Sequence, residues 1–185
     1  MANKIKYGLK NVHYAKITDT DGAITYAVPV AIKGAVSLSV SPDITKTSIP
    51  ADDDPEYAVV TEDNGYTGDI EFQDITDEDR VVLFGSTIND DGVLIENKED
   101  RPNAVALLFE FDGDANKTRH ILYNCLCTKP NIDGETGTGN KTDKSSFTAR
   151  PAKDTGDIKG KVDNTATNKT KYDAWFSKVY VPGEK

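Results

Sequence analysis

The chain is poor in the side chains that most chemistry needs, with two cysteines, one tryptophan, one methionine and two histidines in 185 residues. Cys125 and Cys127, placed on one extended strand, share a face about 7 Å apart, too far for an easy mutual disulfide, and are expected as free thiols. With only His13 and His120, a His-dependent triad has few ways to form, and there is no GxSxG elbow, P-loop or GxGxxG turn. No catalytic set emerges, and the expectation is a protein that is not an enzyme and uses no cofactor. The longest apolar run is about five residues against the roughly 20 of a spanning helix, and "MANKIKYGLK" lacks the apolar stretch of a secretion signal. This points to a chain kept in a cytoplasm, with no membrane partner. Basic residues are outnumbered, 22 to 31, for a net charge of -9. Affinity for nucleic acid comes largely from counterions displaced by Lys and Arg, so ordinary DNA binding is not expected.

What is present suits a polar globular protein: 37% hydrophobic and 29% charged residues, in a length that favours a single domain, 1–185, with long loops. The charge is divided unevenly. Residues 1–100 hold 8 basic against 20 acidic groups, and residues 101–185 hold 14 against 11. Two readings stand: an acidic surface of one copy meeting a neutral-to-basic surface of another, or merely uneven loop composition.

Strand signals dominate. "NVHYAKI" and "AITYAVPV" flank the turn "TDTDG", and "NAVALLFEF" and "RHILYNCLCT" flank "DGDANKT", each a β-rich run meeting Gly and Asp turn chemistry. In "AVSLSVS", Val36, Leu38 and Val40 alternate with serines, and in "YTGDIEFQ", Ile70 and Phe72 alternate with Thr67, Asp69, Glu71 and Gln73. "VALLFEF" and "ILYNCLC" are apolar on nearly both faces, as central strands are. Helix signals are few. Thr76 ahead of Asp77, Glu78 and Asp79 predicts a capped helix through "RVVLF" that ends at Gly85. Tyr172, Trp175, Phe176 and Val179 fall at helical spacing in the C-terminal segment 151–185, where core packing is the natural role for Trp175.

Long polar connections are expected at 42–65, 86–102, 130–144 and 151–170. Such loops tend to be functional or to order against a partner. Asn-Lys-Thr recurs at 116, 140 and 168, and without a secretion signal it reads as compositional bias rather than glycosylation.

Metal sites fail position by position. Setting Gly92 on the invariant glycine of an EF-hand puts Thr87 first and Lys98 last, and setting Gly22 there puts Ile17 and Val28 in those places. In "DGDANK", Asp112, Asp114 and Asn116 alternate, but Lys117 stands where glycine is needed and Tyr123 where the bidentate Glu belongs. His120 is expected on the strand face opposite Cys125 and Cys127, without a nearby CxxC or HxxxH. The acidic run Asp52, Asp53, Asp54 and Glu56, followed by Tyr57, therefore has two readings: a solvated loop tip, or a loop reaching another copy.

Taken in order, "IPADDDPEYAVVTEDNGYTGDIEF", "DDGVLIEN", "VALLFEFDGD" with "RHILYNC", "FTARP" and "YDAWFSKVY" resemble the major tail protein, the tail-tube subunit, of long non-contractile-tailed phages of Gram-positive hosts. The resemblance spans most of the chain. It implies a mainly β protein, a β-sandwich with one short flanking α-helix and long loops, whose copies close into rings, six per ring in that family, and stack into a tube for viral DNA. It also implies assembly in the host cytoplasm, a place in the virion tail, and tape measure, tail-tip and tail-terminator proteins as partners. On that footing loop 42–65 is the candidate intersubunit arm. Ser37, Ser39, Asp69 and Glu71 are candidates to line a lumen that passes DNA without specific binding, because carboxylates repel phosphate and uncharged hydroxyls add no cation to hold it. The alternative is a monomeric β-sandwich module that binds carbohydrate or a cell surface. It would want exposed aromatics around a groove, whereas most aromatics here lie in predicted strands or the apolar C-terminal segment.

Overall fold

Asp and Gly turns cut the chain into antiparallel hairpins, and the computed structural model describes them over residues 7–132, 136 and 141–183. In chain order the elements are β1 (Leu9–Thr20), β2 (Ala23–Tyr26), β3 (Val30–Ala31), β4 (Ala35–Ala51), β5 (Asp54–Phe72), α1 (Asp77–Phe84), β6 (Thr87–Ile88), β7 (Leu94–Ile95), β8 (Val105–Phe111), β9 (Arg119–Cys127), β10 (Asp143–Arg150), β11 (Lys159–Val162) and α2 (Lys169–Ala174). The protein is mainly β. Its main sheet runs β2-β1-β8-β9-β10-β5-β4, with β11 added beside β9 and β3 beside β1, while β6 and β7 form a separate small hairpin.

β8 and β9, apolar on both faces in sequence, lie centrally and are buried on both faces. One face packs Leu107, Phe109, Leu122 and Cys125 against Phe72, Phe147 and, from α1, Leu83 and Phe84. The other packs Leu108, Ile121 and Tyr123 against Tyr172, Trp175 and Val179 of the C-terminal segment. The sheet curls around the first cluster so that β1 comes back against β4, and a single curved sheet thus supplies the two layers expected of a sandwich. Two helices flank it rather than one.

The helix α1 forms as its sequence dictates. Thr76 caps it, its hydroxyl accepting from the Asp79 amide at 3.3 Å, and Gly85 closes it in the left-handed conformation at φ 76. Asp79 is tied in turn to the core, accepting from the Tyr14 hydroxyl at 2.9 Å. Burial, then this carboxylate, pushes the Tyr14 phenol well above its usual range.

α2 is anchored by Arg119, whose guanidinium lies 3.9 Å from the Tyr172 ring centre and donates to Glu110 at 3.0 Å and to the Tyr172 carbonyl. The Trp175 indole donates to the His120 carbonyl at 3.3 Å.

Further expectations need correction. Segment 42–65 is not a loop: it is the outer part of the β4–β5 hairpin, paired from Ile44↔Asp63 to Ala51↔Asp54. His120 does not oppose the thiols. The β8–β9 register shifts between Leu107↔Leu122 and Val105↔Cys125, and this irregularity reverses the alternation, so His120 stacks on Phe109 of the same cluster that holds Cys125 and Cys127. Val36, expected on the buried face with Leu38 and Val40, sits at a register shift and is exposed, while the other two pack on the core. Both cysteines are free and buried, and burial holds the Cys127 thiol up to about 12. The connection at 151–170 contains β11, and 86–102 contains the β6–β7 hairpin. Much of 130–144, with Asn140, lies outside the described residues.

Candidate functional site

Two features of the β4–β5 hairpin stand apart from the core. The first is its outer half. Ten residues from Pro42 to Ala51, at about 3.3 Å each, make an arm roughly 30 Å long. Among the described residues β10 pairs with β5 only over Tyr66 to Phe72, so residues 54–64 have β4 on one side and an unpaired edge on the other, while β4 hydrogen-bonds to no strand besides β5. The tip is a two-residue turn, with Asp52 and Asp53 both at positive φ (49 and 67), as a type I′ hairpin turn requires. Aspartate tolerates that conformation, and a pair of aspartates does here what Asn-Gly does more commonly.

The arm carries apolar side chains that the described residues leave exposed. Ile44 (48%), Ile49 (46%), Tyr57 (65%), Val59 (51%) and Val60 (45%) are all exposed. Cross-strand pairing puts Ile44 and Val59 on one face, with Tyr57 joining them by alternation, and puts Ile49, Ala58 and Val60 on the other. Both faces are therefore partly apolar and both are wet. The polar residues around them are acidic: positions 42–65 hold seven carboxylates and one lysine. Among the described residues none of Asp52, Asp53, Asp54 and Glu56 enters a salt bridge, although the Asp54 carboxylate accepts from the Glu56 amide at 2.9 Å.

The root of the arm is fastened. A register shift at Asp43 bends β4, and opposite it Gly65 takes φ 109, where a Cβ would stand 2.0 Å from the Ala149 carbonyl oxygen. Arg150 of β10 donates to the Asp43 carboxylate at 3.0 Å and to the Asn64 carbonyl at 2.9 Å. Asn64 donates to the Thr45 hydroxyl at 2.8 Å, and the Gly65 amide donates to Asp63 at 2.9 Å. The sequence singled out the tip but gave no sign of this root, because Arg150 and Asp43 are 107 positions apart.

The second feature is the polar face of the sheet at β4, β5 and β10. Pairing sets Ser37, Glu71 and Lys144 in one row, Ser39, Asp69 and Ser146 in the next, and Ser41, Thr67 and Thr148 in a third. The four residues expected on one surface are thus brought together, and β10 adds a contribution that alternation within β4 and β5 could not disclose. Ser37 donates to Glu71 at 2.8 Å, Ser146 to Asp69 at 2.7 Å, Thr142 also donates to Glu71, and Lys144 lies 3.2 Å from Asp69. Hydrogen bonds from Ser146 and Lys144 hold the Asp69 carboxyl below its usual range, and those from Thr142 and Ser37 do the same for Glu71. Depressed carboxyl values mean that these bonds stabilise the fold above the ordinary carboxylate range and are lost as pH falls through the lowered values. The surface is a hydroxyl lattice with two partly neutralised carboxylates.

No group of three or more His, Cys, Asp or Glu side chains is arranged to hold a metal among the described residues. No helix there is long and apolar enough to cross a membrane. No protein-family model matches the sequence, and no curated protein resembles it significantly.

Proposed function

We propose that this chain is a self-assembling structural subunit of a phage tail tube, forming rings that stack into the conduit for viral DNA. The observation that carries this reading is the arm: a two-stranded projection with both edges unpaired among the described residues, and with exposed apolar side chains on both faces. An isolated hairpin is marginally stable in water, and exposed edges invite pairing, so such an element is understandable when another copy covers it. The sheet also ends in exposed strands, β2 at one side and β4 at the other, which suits closure of a ring by edge pairing between neighbours. Turned inward, the Ser37, Ser39, Asp69 and Glu71 face would offer DNA a surface that hydrates it without gripping phosphate. The carbohydrate-binding alternative draws no support from a groove ringed by exposed aromatics, since Tyr57 stands on the arm and Tyr7 at the other end of the described chain.

Negative-stain electron microscopy of the purified protein over a range of concentrations, paired with light-scattering mass, tests the reading. Hollow rings or tubes are expected. A persistent 20.2 kDa monomer, unchanged when a tail-tip initiator is added, would overturn it in favour of a monomeric binding module.

A further inference from the structure

A groove of about 250 Å³ opens between β11 and the C-terminal segment. Its floor is apolar, formed by Trp175 and Tyr123, both 3% exposed. Among the described residues its wall carries three lysines, Lys159, Lys161 and Lys171, against one carboxylate, Asp157. Lys159 stands with its ammonium 5.3 Å from the centre of the Tyr66 ring, and Lys171 with its own 5.5 Å from that of Tyr180. In a chain of net charge -9, a lysine-walled groove with an aromatic floor is unusual chemistry.

The arm tip is its complement. It presents Asp52, Asp53, Asp54 and Glu56, with the exposed ring of Tyr57 beside them. We propose that this groove receives the acidic arm tip of a second copy of the chain, the carboxylates meeting the lysines and Tyr57 packing at the rim beside Tyr180 and Pro182. The inference rests on the assembly reading above and supplies that reading with an acceptor site. The tip cannot reach its own groove. Lys159 lies on Tyr66, at the arm's root, and the paired ladder from Ile44↔Asp63 to Ala51↔Asp54 holds the tip roughly 30 Å away. The contact is therefore between different surfaces of two copies, and it repeats from copy to copy without using up either partner surface. Charge complementarity at such a contact fixes register and steers encounter.

Charge exchange in the full-length chain tests it. One variant carries Asp52→Lys, Asp53→Lys and Asp54→Lys, a second carries Lys159→Glu, Lys161→Glu and Lys171→Glu, and a third carries all six. Each of the first two should weaken self-association by roughly tenfold or more, and the third should recover most of it, because every tip again faces a groove of opposite sign. Fluorescence of Trp175, the sole tryptophan, checks that each variant keeps its fold. A separate Asp53→Cys, Lys161→Cys chain should form disulfide-linked multimers under mild oxidation, the native thiols being buried. Rings or tubes that form regardless of these charges, without the cross-link, would overturn the acceptor site and leave the tube reading standing. A chain that stays monomeric at every concentration, with a tail-tip initiator added and with no cross-link, would overturn both.

Discussion

The central strands and the arm are built from the same kinds of residue and come to opposite ends. In β8, Val105, Leu107 and Phe109 are at most 4% exposed, covered by α1 and the curled sheet. In the outer part of β5, Val59 and Val60 are about half exposed, and among the described residues β4 is the strand that pairs with them. Burial of apolar area, about 25 cal/mol per Å², stabilises the body within one chain and leaves the arm without that support. The difference teaches where the chain ends as a folding unit: the body buries its own apolar residues and the arm does not, which is why we propose that a neighbour covers it.

The largest effect should come from removing the arm. Replacing residues 45–62 by Asn-Gly, which suits a two-residue turn between the paired Ile44 and Asp63, should abolish rings and tubes. The melting midpoint of the body should move by no more than roughly 2–4 °C, equivalent to about 1 kcal/mol at this size. Loss of the folded body in calorimetry would erase the proposed distinction between the two regions.

Next is Gly65→Ala at the junction, where the new Cβ meets a backbone oxygen that cannot give way and the backbone is in a region unfavourable for alanine. A loss of about 2–3 kcal/mol is expected, read as a lower denaturation midpoint; an unchanged midpoint would show the root to be looser than its packing indicates. Charge reversal of Asp69 and Glu71 should leave tubes intact and slow DNA ejection from a phage that carries it. Ejection at the parental rate would place that face on the outside. The smallest effect belongs to Thr76→Ala in the body. Losing the α1 cap should cost about 1 kcal/mol without altering assembly, and a defect in assembly would mean that body and arm are coupled.

The two regions also differed in how far the sequence disclosed them. The body was legible: alternation in "AVSLSVS" and "GDIEF", turns at Gly22 and after Phe111, and the Thr76 and Gly85 caps all mark elements that formed. The arm was not. Pro42, Pro50 and Pro55 and the run of aspartates read as a loop, yet proline is tolerated on open edges, and both strands of the arm are edges. Its apolar residues do not keep to one face, because no core sits on one side to impose alternation. The irregularity in β9 was hidden for a different reason: it changes the facing of His120 through pairing with β8, which no local pattern of β9 records. Of the candidate surface, Ser37, Ser39, Asp69 and Glu71 were legible by alternation, whereas Lys144 and Ser146 join them through β10, more than seventy positions away.

Hydrogen exchange measured by mass spectrometry as a function of protein concentration tests the central claim most directly. Amides of β8 and β9 should be strongly protected at every concentration, whereas those of residues 44–63 should exchange freely in dilute monomer and become protected as rings or tubes appear. Arm amides that stay unprotected within assembled particles would contradict the account.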